Sequence, residues 1–214
     1  LDIRVLAGLA DEPADRLGLA RLVEQTLDKG TQQHDGRGLS DAFDEIGAMT
    51  SSWSGREMTG FSGLVLPEFF PRCVELHAEF LRTPTFPADA CDVAVELGRQ
   101  ELLTLNDDAQ GLCDKFINRQ ALGPILGRHA AGERETLDAV TRDDLVNFWQ
   151  KHYGAGRMIV SAAGPLEPQA VAECIERAFA GFGPATQSNR DPRPIEFDAV
   201  ATHLNFGRAA AHIG

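Results

Sequence analysis

Hydrophobic positions along the chain follow two periods, one of two residues and one near 3.6 residues, which predict strands and helices respectively. The two-residue pattern predicts strands at 2–9, 48–54, 57–66 and 156–163. The helical pattern predicts helices at 16–29, 39–46, 67–82, 88–106, 110–121, 141–153 and 167–182. The two central strands are separated only by a Ser-Gly turn, so we expect a hairpin with antiparallel neighbours.

Helix boundaries are marked by residues with known positional preferences. Gly30 stands at the C-cap of the first predicted helix, and Pro67 and Pro71 fall in the first turn of the third, where proline is tolerated. Thr141 is expected to cap a helix whose first turn carries Asp143, because a carboxylate there complements the helix dipole. The pattern therefore predicts an α+β domain.

The two ends of the sequence indicate a piece of a longer polypeptide. The chain begins with Leu1 and not Met, in a segment predicted to be a strand. Residues 183–200 have the composition of a loop, and 209–214 have that of a strand with nothing after it. We expect one domain over 1–208, followed at 209–214 by the start of a further strand or domain.

Composition and charge exclude several classes of function. The 214 residues are 43% hydrophobic and 24% charged, with a formal net charge of −12, which argues against a nucleic-acid partner or an anionic membrane surface. No apolar run approaches the roughly 18–20 residues that span a bilayer. Four widely spaced cysteines, without a CxxC pair, predict reduced and mostly buried thiols.

The helix near the N-terminus contains the most informative spacing. Arg21, Glu24 and Gln25 lie at i, i+3 and i+4 and therefore share one face. In inverted zincins the same spacing is H-x-x-E-H, in which two histidines hold zinc and the glutamate activates water. Here the glutamate is present, but a permanent cation and a neutral amide stand at the histidine positions.

Further sequence motifs are spread over almost the whole chain, in the same order as in one known family. They are DEPAD, GLA-x-LVE and KGT within 11–31, IGA at 46–48, SGRE at 54–57, the proline-started helix at 67–82, the long helix that carries Glu101, and TRDDLVNFWQKHY with MIVSAAGPLE within 141–167. With this set the chain resembles the N-terminal domain of the pitrilysin/insulinase family, in the branch of mitochondrial processing peptidase and the cytochrome bc1 core proteins. The resemblance implies an α+β fold with an antiparallel-rich mixed sheet packed against several helices.

The resemblance also implies where a catalytic site would lie. Arg21 and Gln25 occupy the two zinc-histidine positions and Glu24 the general-base position, while Glu101, 76 residues after Gln25 (101 − 25), matches the third ligand. Active relatives hold zinc there, and these side chains are not expected to do so. None of the six histidines pairs with another at ligand spacing.

One hypothesis explains why an arginine stands at the first histidine position. Without a metal, Glu24 and Glu101 would leave two like charges close together, and Arg21 can supply the counter-charge through a bidentate contact with one of them. The alternative is that Arg21 is an ordinary surface residue on a site that has lost its function.

The resemblance implies a peptide-binding strand as well. In active relatives an extended peptide adds to the edge strand that here spans 47–53, which makes Ala48, Ser51 and Ser52 candidate binding residues. Two serines stand where the family often has Asn-Ala. An ordinary sheet strand that faces a partner half is the alternative.

Three functions remain open from the sequence. The first is a non-catalytic domain or subunit that encloses a peptide chamber with a second homologous domain and an HxxEH-containing peptidase subunit. The second is a structural or assembly role like that of the bc1 core proteins, and the third, less favoured, is an active zinc endopeptidase.

Overall fold

The computed structural model describes residues 1–183. Four strands form one sheet: β1 (Asp2–Val5), β2 (Met49–Ser54), β3 (Thr59–Leu64) and β4 (Met158–Ser161). Their order is β2-β3-β1-β4, and every described pairing is antiparallel. The predicted α+β class and the hairpin are confirmed, although β1 and β4 are each four residues long and shorter than predicted.

Within residues 1–183, eight α-helices accompany the sheet: α1 (Leu19–Thr26), α2 (Gly36–Glu45), α3 (Phe70–Arg82), α4 (Ala88–Asp107), α5 (Ala109–Leu126), α6 (Arg134–Ala139), α7 (Arg142–His152) and α8 (Pro168–Ala178). No described helix has the length and apolar composition needed to cross a bilayer. The predicted loop at 183–200 lies outside the described residues except for residue 183, and the predicted strand at 209–214 and domain boundary at 208 lie wholly outside them.

The two faces of the sheet have different surroundings. Ile3, Val5 and Phe61 point to the helical side and are buried, and the Phe61 ring lies 5.5 Å from that of Phe80 in α3. On the opposite face Trp53 covers Gly60, where an added Cβ would lie 2.3 Å from the indole nitrogen. The described helices therefore pack on one face of the sheet, while the other carries exposed side chains.

Helix α1 begins three residues later than predicted, at Leu19. The reason is Gly18, whose φ of +95° is left-handed and ends the preceding loop. Gly132 also has a left-handed φ, of +69°, and approaches Leu17 so closely that a Cβ there would lie 2.3 Å from its carbonyl oxygen. This crossing of two loops fixes where α1 starts.

The end of α1 also differs from the prediction. The helix stops at Thr26 and continues as a short 3-10 turn, Leu27–Lys29. Gly30 follows with an extended backbone (φ 172°) and not with the left-handed conformation that a C-cap glycine usually adopts. Close approach explains this glycine, because an added Cβ would lie 2.7 Å from the Thr85 hydroxyl.

Other helices differ from the predicted ones because of local features that hydrophobic periodicity does not report. Helix α2 starts at Gly36 and not at residue 39, because the Asp35 carboxylate accepts a hydrogen bond from the Gly38 amide. Helix α5 runs past residue 121 through a kink at Gly123, and α6 was not predicted. The Thr141 cap is confirmed by its hydrogen bond from the Asp144 amide.

The prediction that most of the cysteines are buried is also confirmed. All four thiols are free; Cys73, Cys91 and Cys174 are buried, and Cys113 is exposed. Burial raises the pKa of each of the three buried thiols, which keeps them neutral.

Candidate functional site

The candidate site lies where α1 meets both the sheet edge and α4. Helix α1 packs against β2 on one side and against α4 on another. From this side of α1 Glu24 contacts β2, and Arg21, about one turn earlier on the same side, contacts α4. The structure brings three of the four predicted positions into direct contacts: Arg21 with Glu101, and Glu24 with Ser52.

Arg21 forms a two-point ion pair with Glu101. Its two terminal nitrogens lie 3.1 Å from Oε1 and 2.8 Å from Oε2 of the carboxylate. The side chains are 33% and 35% exposed, so solvent partly screens the attraction. The contact expected between Arg21 and one of the two acids is present, and it links α1 to α4.

Glu24 is held in place by the edge strand β2. The Ser52 hydroxyl donates a hydrogen bond to Glu24 Oε1. Burial raises the pKa of the Glu24 carboxyl, while the Ser52 hydrogen bond and the Arg21 guanidinium act in the opposite direction. Glu24 is thus a partly desolvated carboxyl tied to β2.

The residues at the predicted ligand positions do not fit zinc. Both oxygens of Glu101 are engaged by a guanidinium that has no lone pair to offer a metal. Gln25 is half-buried and offers only an amide oxygen. Among residues 1–183, no group of three or more His, Cys, Asp or Glu side chains is placed to hold a metal ion.

The charges of Glu101 and Arg21 both influence His129. Burial and the Lys115 ammonium lower the pKa of His129, while the charge of Glu101 acts in the opposite direction. Its Nδ1 accepts a hydrogen bond from the Ala131 amide at 3.2 Å. His129 follows α5 in the chain, and periodicity gave no sign that it would lie near Glu101.

Strand β2 forms an edge of the described sheet, as the family resemblance implied. It pairs with β3 on one side only, from Met49↔Leu64 to Ser54↔Thr59. Ser51 shares a 2.8 Å hydrogen bond with Ser62 across this pairing, so its hydroxyl holds the hairpin together. Ala48 precedes β2, and its amide donates to the Phe43 carbonyl at 3.0 Å.

A cavity of about 310 Å³ lies against the helical side of β2. Its aromatic and polar walls come from α1, the 3-10 turn after it, α2, α3 and the hairpin, and include Phe43, Phe61, His77, Phe80, Glu24, Asp28, Lys29 and Asp44. Burial lowers the pKa of His77 to about 4, so this side chain is neutral at physiological pH. No local sequence pattern indicated this cavity.

We predict that the Arg21–Glu101 pair stabilises the fold modestly. A double-mutant cycle with Arg21→Met and Glu101→Gln should give a coupling energy of about 0.5–1 kcal/mol in urea unfolding, because the contact is bidentate but screened. The matched control is the exposed pair Arg37–Asp41, 3.8 Å apart, whose coupling should be close to zero. Equal coupling energies for the two pairs would contradict the prediction.

Two family profiles match this chain. The profile described as "Insulinase (Peptidase family M16)" matches residues 1–131, and that described as "Peptidase M16 inactive domain" matches 139–206. The chain belongs to the M16 peptidase family. The predicted resemblance to pitrilysin-type peptidases is therefore confirmed.

Relatives of this M16 chain include peptidases and a respiratory-complex subunit. An uncharacterized zinc protease of Rickettsia felis is 25% identical over 179 residues, covering 83% of this chain and 43% of the relative. The probable mitochondrial-processing peptidase subunit beta of Schizosaccharomyces pombe is 27% identical over 190 residues (86% and 41%). Cytochrome b-c1 complex subunit 1 of Bos taurus is 25% identical over 211 residues (97% and 44%).

The M16 chain thus spans less than half the length of these three relatives. Among solved structures, a peptidase M16 inactive domain from Pseudomonas fluorescens superposes with a TM-score of 0.81 at 20% identity, covering 90% of this chain and 48% of that one. At this identity the likeness shows the fold.

Proposed function

We propose that this chain is a non-catalytic domain or subunit of a pitrilysin-like zinc metallopeptidase. It would help to form a peptide-binding chamber with a second homologous domain and an active subunit that carries an intact HxxEH motif. The observation that carries the proposal is the Arg21–Glu101 ion pair, in which a guanidinium engages both oxygens of the third-ligand position.

The charges at this site argue against zinc binding. A zinc ion would have to approach a permanent cation that already lies within 3.1 Å of the carboxylate. Catalytic zinc normally has three protein ligands, and here the imidazole positions supply none. In this proposal Arg21 takes over the counter-charge that a metal supplies in active relatives.

A second candidate is a structural or assembly role. It is favoured by the match to the Bos taurus complex subunit over 97% of this chain and by the ion pair that joins α1 and α4 without a metal. The two candidates differ in whether the chain contributes to peptide cleavage by a partner. An active zinc endopeptidase is the least supported alternative, since the ligand set does not fit zinc.

We predict that the purified protein will neither retain zinc nor cleave peptides by itself. After dialysis against trace zinc, metal analysis should find far less than one zinc per chain. Mixing with an HxxEH-containing chain from the same cell should produce peptidase activity that neither chain shows separately. Stoichiometric zinc would overturn the non-catalytic proposal, and activity of the partner that is unchanged by this chain would favour the assembly role.

A further inference from the structure

Three arginines from separate segments meet at the last turn of α5. Arg119 lies within that helix and donates to the Pro124 carbonyl at 2.8 Å. Arg128 follows the helix and donates to the same oxygen at 3.3 Å. Arg56, in the turn between β2 and β3, donates to the Leu126 carbonyl at 3.0 Å. Together these three side chains form an arginine cluster at the surface.

The backbone at this turn has a conformation that is essentially restricted to glycine. Gly123 has a φ of 76° and a ψ of −173°, and it kinks α5 directly before Pro124. No residue of α5 is fully buried, so core packing does not account for the kink. Unusual backbone conformations of this kind are concentrated at sites that hold ligands. The carbonyl groups that anchor the arginine cluster follow this kink immediately.

The arginine cluster is anchored by uncharged acceptors. Within residues 1–183 its hydrogen bonds go to backbone carbonyls and to the side-chain oxygen of Asn118. Burial lowers the pKa of Arg128, and the charge of Arg119 acts in the same direction, while Glu12 acts in the opposite one. Arg119 and Arg128 therefore repel each other, and a bound anion would relieve that repulsion.

Donors of the cluster remain open to solvent. A guanidinium carries several N–H donors in a planar fork. Arg119 makes one described hydrogen bond and Arg56 makes two, and both residues are exposed. The N–H groups that these bonds do not use can donate to a ligand that arrives from solvent.

We propose that the arginine cluster binds a phosphate group, either as the free ion or as a phosphate ester. A phosphate presents three acceptor oxygens and a charge close to −2, which suits guanidinium groups that approach from three segments. A carboxylate has two oxygens, and a single guanidinium engages both of them in the Arg21–Glu101 pair. This site lies outside the proposed peptide-binding function and does not depend on it.

A bound phosphate would join three parts of the fold. Arg56 belongs to the hairpin and Arg119 to α5, while Arg128 also donates to the carbonyls of Leu9 and Glu12 at 2.9 and 2.7 Å. A ligand that binds only the folded chain raises the unfolding temperature. Millimolar phosphate should therefore stabilise the protein against heat at constant ionic strength.

Isothermal titration of the 214-residue chain tests this inference. The probes are inorganic phosphate, glycerol 3-phosphate and malonate, a dicarboxylate of similar charge, at an ionic strength of about 0.15 M. At least one phosphate compound should bind about tenfold more tightly than malonate. Tighter binding of glycerol 3-phosphate identifies an ester as the ligand, and equal or tighter binding of inorganic phosphate identifies the free ion. Malonate affinity equal to that of both phosphates, or no binding of either phosphate, would overturn the proposal.

Variants locate the site. Arg119→Gln should weaken phosphate binding about tenfold, and Arg119→Lys severalfold, because lysine keeps the charge but loses the planar fork. Arg56→Gln is a second variant and should have a similar effect to Arg119→Gln. The matched control is Arg37→Gln, since Arg37 is an exposed arginine on α2, 3.8 Å from Asp41. Equal weakening by R37Q and R119Q would show that phosphate responds to net charge and not to the arginine cluster.

Discussion

An R21H/Q25H variant of this M16 chain should bind one zinc ion per molecule, with an affinity at least about 1,000-fold above that of the parent protein. Replacing Arg21 removes the guanidinium that holds Glu101, and the two imidazoles would stand at i and i+4 on α1. With Glu101 they would supply the three ligands predicted for a catalytic zinc site. Isothermal titration with zinc at pH 7.5 gives the stoichiometry and the affinity.

The triple variant R21H/Q25H/E101Q is the control for this experiment. It keeps both introduced imidazoles and loses the carboxylate, so its zinc affinity should fall about 100-fold below that of the double variant. Equal affinities of the two variants would show that Glu101 does not occupy the third-ligand position. A double variant that folds but binds no zinc would show that the spacing alone does not preserve the site.

The second large effect concerns Glu12, which lies in the loop before α1, is 4% exposed and reaches the first turn of that helix with its side chain. Its Oε1 accepts a hydrogen bond from the Ala20 amide at 2.9 Å, and Oε2 has no hydrogen-bond partner within residues 1–183. Burial raises the pKa of this carboxyl to about 7, against an ordinary value of 4.5. The folded state therefore binds a proton more tightly than the unfolded state does.

Stability should consequently fall as the pH rises. The contribution of Glu12 is fully present below pH 4.5 and is lost as the pH passes through about 7. Between pH 5 and pH 8 the free energy of unfolding should decrease by about 2 to 3 kcal/mol from this group. Urea unfolding of Glu12→Gln should lack this decrease, because the amide stays neutral and its oxygen can still accept from Ala20.

An exposed glutamate provides the comparison for this measurement. Glu135→Gln, on the surface of α6, should leave the pH dependence of the parent protein unchanged. A Glu12→Gln variant with the same slope as the parent between pH 5 and pH 8 would show that Glu12 is ionised throughout this range.

The order of most elements could be predicted from the sequence, because the signals that define each element lie within a few residues of it. The hairpin follows from alternation on either side of a Ser-Gly turn signal, although its loop spans residues 55–58 and is longer than predicted. The start of α7 follows from the Thr141 cap. The start of α1 could not be predicted, because Gly18 lies against residues near Gly132, more than 100 positions later. Such a long-range contact leaves no trace in periodicity.

The candidate site was predictable only in part. Helical spacing places Arg21, Glu24 and Gln25 on one face, and the family resemblance adds Glu101 from a distant helix. The hydrogen bond between Ser52 and Glu24 required the register of β2 against α1, which no local pattern specifies. The cavity was missed for the same reason, since its walls come from separate segments that meet only after folding.

Because Trp53 lies over Gly60 on the edge strand, its fluorescence can report on that strand without an added label. Of the two tryptophans, Trp149 donates its indole N–H to the Leu81 carbonyl at 2.9 Å on the helical side of the molecule. Trp53 lies half in water on the edge strand, so its emission depends on what covers that strand. A blue shift that disappears in Trp53→Phe and persists in Trp149→Phe would report occupancy of the edge in unlabelled protein.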